Sequence, residues 1–182
     1  EVLAHTDPPQ VDYIELYNYS SSASVNLNGC SLTDDPTTNK FVITNLVLAP
    51  RGFTVFTEEQ LGFALSAAGE TIYLKAANGS RIIDALRFGA QENGVAFGRY
   101  PDGASRFTRL LTPTPGTNNA AFLPTDIVIS EIMYDPISGD SGDEYVELFN
   151  RGTNAVDLGG WQLEDAVQFA IPPGTMLVPG GY

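Results

Sequence analysis

The stretch Asp12-Tyr-Ile-Glu-Leu-Tyr-Asn18 occurs twice in the chain, the second time as Glu144-Tyr-Val-Glu-Leu-Phe-Asn150. Apolar and polar side chains alternate in both copies, which predicts a β-strand with one face on a core and the other toward solvent. Each copy ends at an asparagine, whose side chain can bond its own backbone and start a turn. The sequence therefore predicts that one strand and one turn are each built twice.

The similarity between the two copies continues on both sides of these strands. The matched segments are 1–3 with 131–133, 25–34 with 156–165, 41–43 with 169–171, and 48–53 with 177–182. The offset between the copies varies only between 128 and 132 residues, so the differences in length fall in loops. This pattern indicates a tandem repeat of a whole domain.

Composition and turn residues favour an all-β architecture. Apolar residues make up 43% of the chain, enough for a packed core, and 18 Gly and 12 Pro separate short apolar runs. The Asn78-Gly79 turn between the segments 71–74 and 81–86 predicts a hairpin, and one helical turn is expected at 58–61. About nine short strands with no long helix describe a β-sandwich.

The repeat predicts two domains, the second containing only the N-terminal half of the fold. Residues 1–116 are expected to form the first sandwich, with its first strand partly missing, and residues 117–125 to form a linker after a stiff Thr- and Pro-rich stretch. Residues 126–182 are expected to form half of a second sandwich, since Tyr182 matches Phe53. Either a longer array of repeats or strands donated by a neighbouring chain would complete that half.

Several motifs resemble the lamin-tail domain family. They are the repeated acidic-aromatic-Ile/Val-Glu-Leu-aromatic-Asn strand, the run Val156-Asp-Leu-Gly-Gly-Trp-Gln-Leu-Glu-Asp165, and the ending Pro172-Pro-Gly-Thr-Met-Leu-Val-Pro-Gly-Gly-Tyr182. Two further stretches are similar to the C-terminal part of the family's domain, namely Gly98-Arg-Tyr-Pro-Asp-Gly103 and Thr112-Pro-Thr-Pro-Gly116. The resemblance covers almost the whole chain.

The resemblance implies an immunoglobulin-like β-sandwich without catalytic activity. Members of the family occur in nuclear lamins and, more diversely, in secreted or surface bacterial proteins, often beside nucleases or phosphoesterases. Two adjacent copies resemble the bacterial arrangement, because a lamin has a coiled-coil rod and one tail. The first copy has Cys30 where the family usually has Trp, and Asn26 where it usually has Asp, so a slightly altered core is expected there.

The aromatic residues of the second copy allow two interpretations, a sugar-stacking platform or core positions. They are Tyr145, Phe149, Trp161 and Phe169, matched in the first copy by Tyr13, Tyr17, Cys30 and Phe41. Because the matched residues are mostly apolar as well, core positions are favoured. Cys30, the only cysteine, is accordingly expected to be a buried thiol that fills core volume.

The loop from Asp135 to Glu144 is the best candidate for a bound ion. Asp135, Asp140, Asp143 and Glu144 supply hard oxygen ligands, and two glycines allow the loop to wrap around a calcium ion. The spacing is not that of an EF-hand, and the corresponding loop of the first copy retains only two of the carboxylates. A solvated acidic loop is the alternative.

No residue pattern predicts an enzyme, and no catalytic residue or cofactor is expected. His5 is the only histidine, so one chain cannot supply a catalytic triad or a multi-His metal site. Glu15 and Glu147 recur on the polar face of the repeated strand, and paired with Asp34 or Asp165 they would resemble glycosidase carboxylates. They are expected instead to be solvated, or to bond neighbouring backbone at a sheet edge.

The charge pattern disfavours nucleic acid as a partner. The net charge is −13, and such a surface repels phosphate. The later part of the first copy carries five arginines interleaved with acids, which favours a mixed, solvated face. These residues are Arg81, Arg87, Arg99, Arg106 and Arg109, with Asp84, Glu92 and Asp102. No apolar run approaches the ~18–20 residues of a membrane span, so the expected partners are proteins, chiefly further copies of the same or like domains.

The domain repeat, the Thr-Pro stretch and the lack of a catalytic pattern lead to two hypotheses. The first is a non-catalytic structural, adhesion or self-assembly module of a larger secreted or cell-surface repeat protein, capable of forming filaments. The alternative is a calcium- or glycan-binding accessory domain of a secreted enzyme such as a nuclease or phosphoesterase. Both place the protein outside the cell or on its surface.

Overall fold

The computed structural model describes residues 1–123, 125–164 and 167–182. The chain folds into two units, unit 1 (residues 1–123) and unit 2 (residues 124–182). Strands account for 35% of the chain and helices for 4%, which confirms the predicted all-β class. Asp165, which the disfavoured glycosidase-like interpretation pairs with Glu147, lies outside the described residues.

Unit 1 is built from short strands. They are β1 (Val2–Leu3), β2 (Tyr13–Tyr17), β3 (Val25–Asn26), β4 (Ser31–Thr33), β5 (Phe41–Val42), β6 (Val47–Leu48), β7 (Phe53–Thr57), β8 (Glu70–Lys75), β9 (Ile82–Phe88), β10 (Phe97–Arg99) and β11 (Phe107–Arg109). The predicted helical turn is present as α1 (Glu58–Leu61), and Thr57 and Gln60 form its capping box. Within the described residues no helix has the length and apolar character needed to cross a membrane.

Two antiparallel sheets of unit 1 pack face to face. One has the strand order β11-β10-β1-β2-β7 and the other β5-β4-β8-β9, while β3 and β6 form a separate pair. The predicted hairpin is confirmed as β8 and β9, joined at Gly79 with φ of 67°. Side chains from both sheets form the main core, which contains Val2, Ala4, Ile14, Leu32, Leu61, Leu65, Ile72 and Phe88. This is the predicted immunoglobulin-like sandwich.

The Asn28-Gly29 turn directs the chain from one strand pair to another. The strands on its two sides have different partners, because β3 pairs with β6 and β4 pairs with β5 and β8. Gly29 has φ of 81°, a left-handed conformation that glycine adopts without a Cβ clash. Its N–H donates to the Ile43 carbonyl at 2.8 Å. The turn therefore links two strand pairs rather than the arms of one hairpin.

Cys30 lies in a second core cluster of unit 1, under the β3–β6 pair. It is 5% exposed and packs with Leu27, Ile43 and Leu48. Phe56 of β7 and Leu74 of β8 also pack against this cluster, together with other half-buried apolar residues. The prediction of a buried thiol that fills core volume is confirmed.

Unit 2 repeats the first half of unit 1. Its strands are β12 (Ile127–Met133), β13 (Tyr145–Asn150), β14 (Val156–Asp157), β15 (Gln162–Leu163), β16 (Phe169–Ala170) and β17 (Met176–Leu177), with a 3₁₀ turn at Ser141–Asp143. The strand pairs have matching registers in the two units. Val25↔Leu48, Leu32↔Phe41 and Val2↔Ile14 in unit 1 correspond to Val156↔Leu177, Leu163↔Phe169 and Ile132↔Val146 in unit 2.

A buried asparagine ends the repeated strand of unit 1. Asn18 is 5% exposed, and its Nδ2 donates to the carbonyls of Ala23 at 2.8 Å, Leu48 at 3.1 Å and Ala49 at 3.0 Å. Its Oδ1 accepts from the Ser20 N–H at 3.1 Å. One side chain therefore starts the predicted turn and also fastens that turn to the chain about 30 residues later, after β6.

Asn150 makes the equivalent set of bonds in unit 2. Its exposed fraction is 0%, its Nδ2 donates to the carbonyls of Asn154 and Leu177 at 2.8 Å, and its Oδ1 accepts from the Gly152 N–H at 2.9 Å. The backbone bonds also match: Asn18 N–H to Gly52 O and Arg51 N–H to Asn18 O in unit 1, and Asn150 N–H to Gly181 O and Gly180 N–H to Asn150 O in unit 2. The predicted tandem repeat is thus present at the level of single hydrogen bonds.

Part of the predicted linker 117–125 packs onto unit 1. The Leu111 N–H donates to the Ala121 carbonyl at 2.8 Å, and the Leu123 N–H donates to the Arg109 carbonyl at 2.7 Å. Leu110 and Phe122 form a β-bridge. The Thr- and Pro-rich composition predicts a stiff linker, but it does not show that the backbone of residues 121–123 pairs with residues 109–111.

We expect the substitution Asn18→Ala to lower the free energy of unfolding of unit 1 by about 2–4 kcal/mol. It leaves three carbonyls and one N–H without a buried partner, and each such group carries a desolvation cost. Urea unfolding followed through amide resonances of unit 1 measures the loss. Asn26→Ala is the matched control, because the Asn26 side chain makes one exposed bond to the Asn28 N–H. Equal losses in the two variants would contradict this role of Asn18.

Candidate functional site

A carboxylate pair lies on the face of the five-stranded sheet opposite the main core. Val2 and Ile14 point into that core, so Glu1 and Glu15 lie on the other face of their strands. The two glutamates are cross-strand neighbours, with the Glu15 N–H donating to the Glu1 carbonyl at 2.8 Å. The Tyr13 hydroxyl donates to Glu1 Oε1. Glu15 is only 6% exposed, so its predicted solvation is wrong.

The residues 112–119, named here the closing segment, bind both carboxylates. Thr114 donates its N–H to Glu1 Oε1 at 3.0 Å and its hydroxyl to Glu1 Oε2 at 2.8 Å. The Gly116 N–H donates to Glu15 Oε2. Glu15 thus bonds backbone, as expected, but this backbone is 101 residues away and the strand is interior to its sheet.

Asn119 fixes the far end of the closing segment. Its N–H donates to Asp102 Oδ1 at 3.0 Å, and its Nδ2 donates to the Arg99 carbonyl at 2.9 Å. A Cβ at position 98 would lie 2.8 Å from Leu110 Cδ1 and 2.9 Å from Asn119 Nδ2. Gly98 therefore lets the asparagine lie directly on the sheet.

Burial raises the pKa of the Glu15 carboxyl to about 7. The Gly116 N–H bond acts in the opposite direction, since it favours the ionised form. The carboxylates of Glu1 and Asp102 add to the increase. The N-terminal ammonium group also lowers the pKa. Burial and like charge therefore outweigh the hydrogen bond and this ammonium group, and the protonated carboxyl is favoured by the folded state.

This increase in pKa predicts a pH-dependent stability of unit 1. Below about pH 4.5 the Glu15 carboxyl is protonated in both the folded and the unfolded chain. The stabilisation of unit 1 that comes from the raised pKa is then fully present. It is lost as the pH rises through about 7, because the unfolded state then gains the free energy of ionisation. We expect the free energy of unfolding to fall by about 1–3 kcal/mol more in the wild type than in Glu15→Gln between these pH values.

Urea unfolding of unit 1 at a series of pH values measures this difference. Gln keeps an oxygen that can accept from the Gly116 N–H but does not ionise. Glu59→Gln, at an exposed position of α1, is the control and should keep the wild-type profile. Parallel pH profiles for the wild type and Glu15→Gln would contradict the assignment.

Unit 2 contains the same carboxylate pair. Glu131 and Glu147 are register partners across β12 and β13, and the Tyr145 hydroxyl donates to Glu131 Oε1 at 2.8 Å. This bond to Glu131 raises the pKa of the Tyr145 hydroxyl. Ser130 Oγ donates to Glu147 Oε1 at 2.6 Å. Glu131 is exposed and Glu147 is half-buried.

Two of the four carboxylates of the predicted calcium loop accept hydrogen bonds from the loop itself. Asp140 Oδ1 accepts from the Gly142 N–H at 2.8 Å and caps the 3₁₀ turn. Asp143 Oδ2 accepts from Ser138 Oγ at 2.6 Å, while Asp135 and Glu144 are exposed. Among the described residues no group of three or more His, Cys, Asp or Glu is arranged to hold a metal ion. Calcium binding by this loop stays a prediction, and it requires the four carboxylates to converge.

The predicted core positions of the unit 2 aromatics are wrong for three of the four residues. Tyr145, Trp161 and Phe169 are 45%, 49% and 52% exposed. Phe149 is half-buried and lies 4.7 Å from Tyr182 between ring centroids. The difference has a simple cause. In unit 1, β7 and β8 pack on Cys30 and Phe41, the counterparts of Trp161 and Phe169, and Tyr13, the counterpart of Tyr145, packs with Ala96 and Leu110.

Three ion pairs of unit 1 engage charged residues outside the carboxylate pairs. Arg99 binds Asp84 at 3.0 Å and also lies 4.0 Å from the ring centroid of Phe107. Arg109 pairs with Glu92, in agreement with the predicted mixed face. Asp34 pairs with Lys40 at 2.7 Å rather than with Glu15. In addition, the His5 ring bonds the Gln91 carbonyl at 2.8 Å.

The contacts of the closing segment are the part of this site that sequence reasoning missed. A usable signal was present, since two glutamates recur at the same cross-strand positions in both copies, as Glu1 with Glu15 and as Glu131 with Glu147. Like charges that face each other across strands are unfavourable. Their recurrence therefore indicates that something else supplies hydrogen-bond donors to them.

Fold and site together define a class of protein: a tandem of immunoglobulin-like β units in which recurring polar residues hold backbone segments in place. The family model described as Lamin Tail Domain matches residues 1–90 and 121–182. The chain belongs to the lamin tail domain family. Domains of this family are generally non-catalytic and mediate protein interactions.

Two other comparisons, one with curated proteins and one with solved structures, found no significant match.

Proposed function

We propose that this chain is a non-catalytic structural module of a larger secreted or cell-surface repeat protein, acting in adhesion or self-assembly. The observation that carries the proposal is an open apolar groove on unit 2, at positions that are covered in unit 1. The groove measures about 440 Å³. It is lined by residues that include Leu148, Leu158, Phe169, Ile171, Leu177 and Tyr182.

Unit 1 shows which kind of segment fits such a groove. Phe41, the counterpart of Phe169, lies 5.0 Å from Phe56 of β7 between ring centroids. Leu74 of β8 packs on the cluster around Cys30 and Ile43. We infer that the occupant of the groove is a strand pair with the pattern of β7 and β8, supplied by another copy of the repeat through strand exchange, because β7 and β8 of unit 1 pair within their own sheets.

Burial of these apolar side chains drives the association. Removing apolar surface from water contributes roughly 25 cal/mol per Å², and Phe169 and Tyr182 of the groove are more than half exposed. The groove and the strands that fill it lie on different parts of the repeat, so the contact is head-to-tail. Contacts of this kind generate rings or filaments.

The engagement of the carboxylates supports a non-catalytic role. Glu15 holds Gly116, Asp140 caps a turn and Asp34 pairs with Lys40. Each group therefore stabilises local structure. Extracellular or surface localisation is part of the proposal and rests on the arrangement of two adjacent family domains.

Sedimentation velocity tests the proposed association. We expect the 182-residue chain to associate as its concentration increases, and Phe169→Ser to reduce this association because it removes apolar surface from the groove. Phe122→Ser is the matched control, because Phe122 in unit 1 is 51% exposed and Phe169 is 52% exposed. A chain that stays monomeric at all concentrations, or equal effects of the two substitutions, would contradict the proposal.

A glycan-binding accessory domain is the second candidate, favoured by the exposed indole of Trp161. Since Trp161 is the only tryptophan, its fluorescence reports ligands at this position. Saturable quenching by a soluble oligosaccharide would favour this candidate. Quenching that follows protein concentration instead would favour association between copies.

A further inference from the structure

The starting point is the unfavourable pairing of two carboxylates in each unit. Glu1 faces Glu15 in unit 1, and Glu131 faces Glu147 in unit 2. Like charges directly opposite each other destabilise a strand pair. In unit 1 three hydrogen bonds from Thr114 and Gly116 offset this repulsion.

The sequence of the closing segment explains why this peptide fits the pair. Pro113 and Pro115 have no backbone N–H, so residues 113–116 present N–H groups only at Thr114 and Gly116. These are the two N–H groups that reach the two carboxylates. Proline also restricts the free peptide to extended conformations, which lowers the entropy cost of binding.

Unit 2 presents the same acceptors in the same register. Glu131 and Glu147 are opposite one another, and Tyr145 bonds Glu131 as Tyr13 bonds Glu1. Among the described residues of unit 2, the side-chain donors to this pair are the hydroxyls of Tyr145 and Ser130. Carboxylate oxygens accept several hydrogen bonds each, so both residues can bind further donors.

We propose that Glu131, Tyr145 and Glu147 form a docking site for the closing segment of another copy of the repeat. The partner is a Thr-Pro-x-Pro-Gly peptide. Its threonine N–H and hydroxyl bond Glu131, and its glycine N–H bonds Glu147. The carboxylates lie on the face of the β12–β13 pair opposite Val146 and Leu148. Tyr145 and Glu147 also border the apolar groove, but the inference rests on the hydrogen-bonding groups of the carboxylate pair and not on the apolar side chains from which the function is proposed.

A peptide titration tests this docking site. The probe is a synthetic peptide of residues 111–119, acetylated and amidated at its ends, added to the ¹⁵N-labelled 182-residue chain. We expect saturable shifts of amide resonances that are confined to residues 130–133 and 145–147. Glu147→Ala should weaken binding by about tenfold or more, because a charge-assisted hydrogen bond is lost. Glu144→Ala, an exposed acid beside the same strand, should keep the wild-type affinity.

A modified peptide repeats the test without changing the protein. Sarcosine in place of the glycine at position 116 removes one N–H donor and keeps the rest of the peptide. We expect the sarcosine peptide to bind at least about tenfold more weakly than the glycine peptide. Because the sarcosine peptide is added to the wild-type chain, misfolding of the Glu147→Ala variant cannot explain a loss of affinity that both changes produce.

Three outcomes would overturn the proposal. They are the absence of saturable shifts up to about 5 mM peptide, equal affinities for the glycine and sarcosine peptides, and shifts centred on groove residues such as Leu158 and Ile171. Phe169→Ser separates this inference from the proposed self-association, since it removes groove surface and leaves the carboxylate pair intact. Peptide binding by that variant at wild-type affinity is the expected result.

Discussion

Both units depend on one buried asparagine amide. A buried amide group must have all its hydrogen-bonding atoms satisfied, or it destabilises the fold. Asn18 and Asn150 achieve this by bonding a turn a few residues ahead and the chain about 30 residues later. The same contact therefore fixes where the repeated strand ends and where the β3–β6 pair of unit 1, or the β14–β17 pair of unit 2, closes. No apolar residue can replace these directional bonds.

The carboxylate pair shows the opposite situation, in which local sequence and fold disagree. Two glutamates facing each other across strands are unfavourable by themselves, yet each copy of the repeat contains them. In unit 1 a Thr-Pro-Thr-Pro-Gly segment from the other end of the domain supplies the missing donors and also buries Glu15. Architecture and recognition thus use the same chemistry, because a site that holds a segment of its own domain has the acceptors needed for a similar segment from elsewhere.

Local features of this fold could be predicted from the sequence, and long-range partners could not. Alternation gave the repeated strand, and the Asn78-Gly79 turn gave the β8–β9 hairpin, because both signals lie within a few residues. The sequence predicted that Glu15 is solvated or bonds neighbouring backbone, but its backbone partner Gly116 is 101 residues away and no local pattern identifies it. Trp161 was assigned to the core by its match with Cys30, whereas the cover over Cys30 comes from β7 and β8, beyond the matched segments.

Hydrogen exchange of side-chain amides tests the central claim most directly. The claim is that unit 1 and unit 2 are two copies of one structure, each held by its buried asparagine. The account predicts that the Nδ2 protons of Asn18 and Asn150 both exchange slowly with solvent, and that those of the exposed Asn26 exchange rapidly. Rapid exchange at Asn150 together with slow exchange at Asn18 would show that the second copy does not form the contact, and would contradict the account.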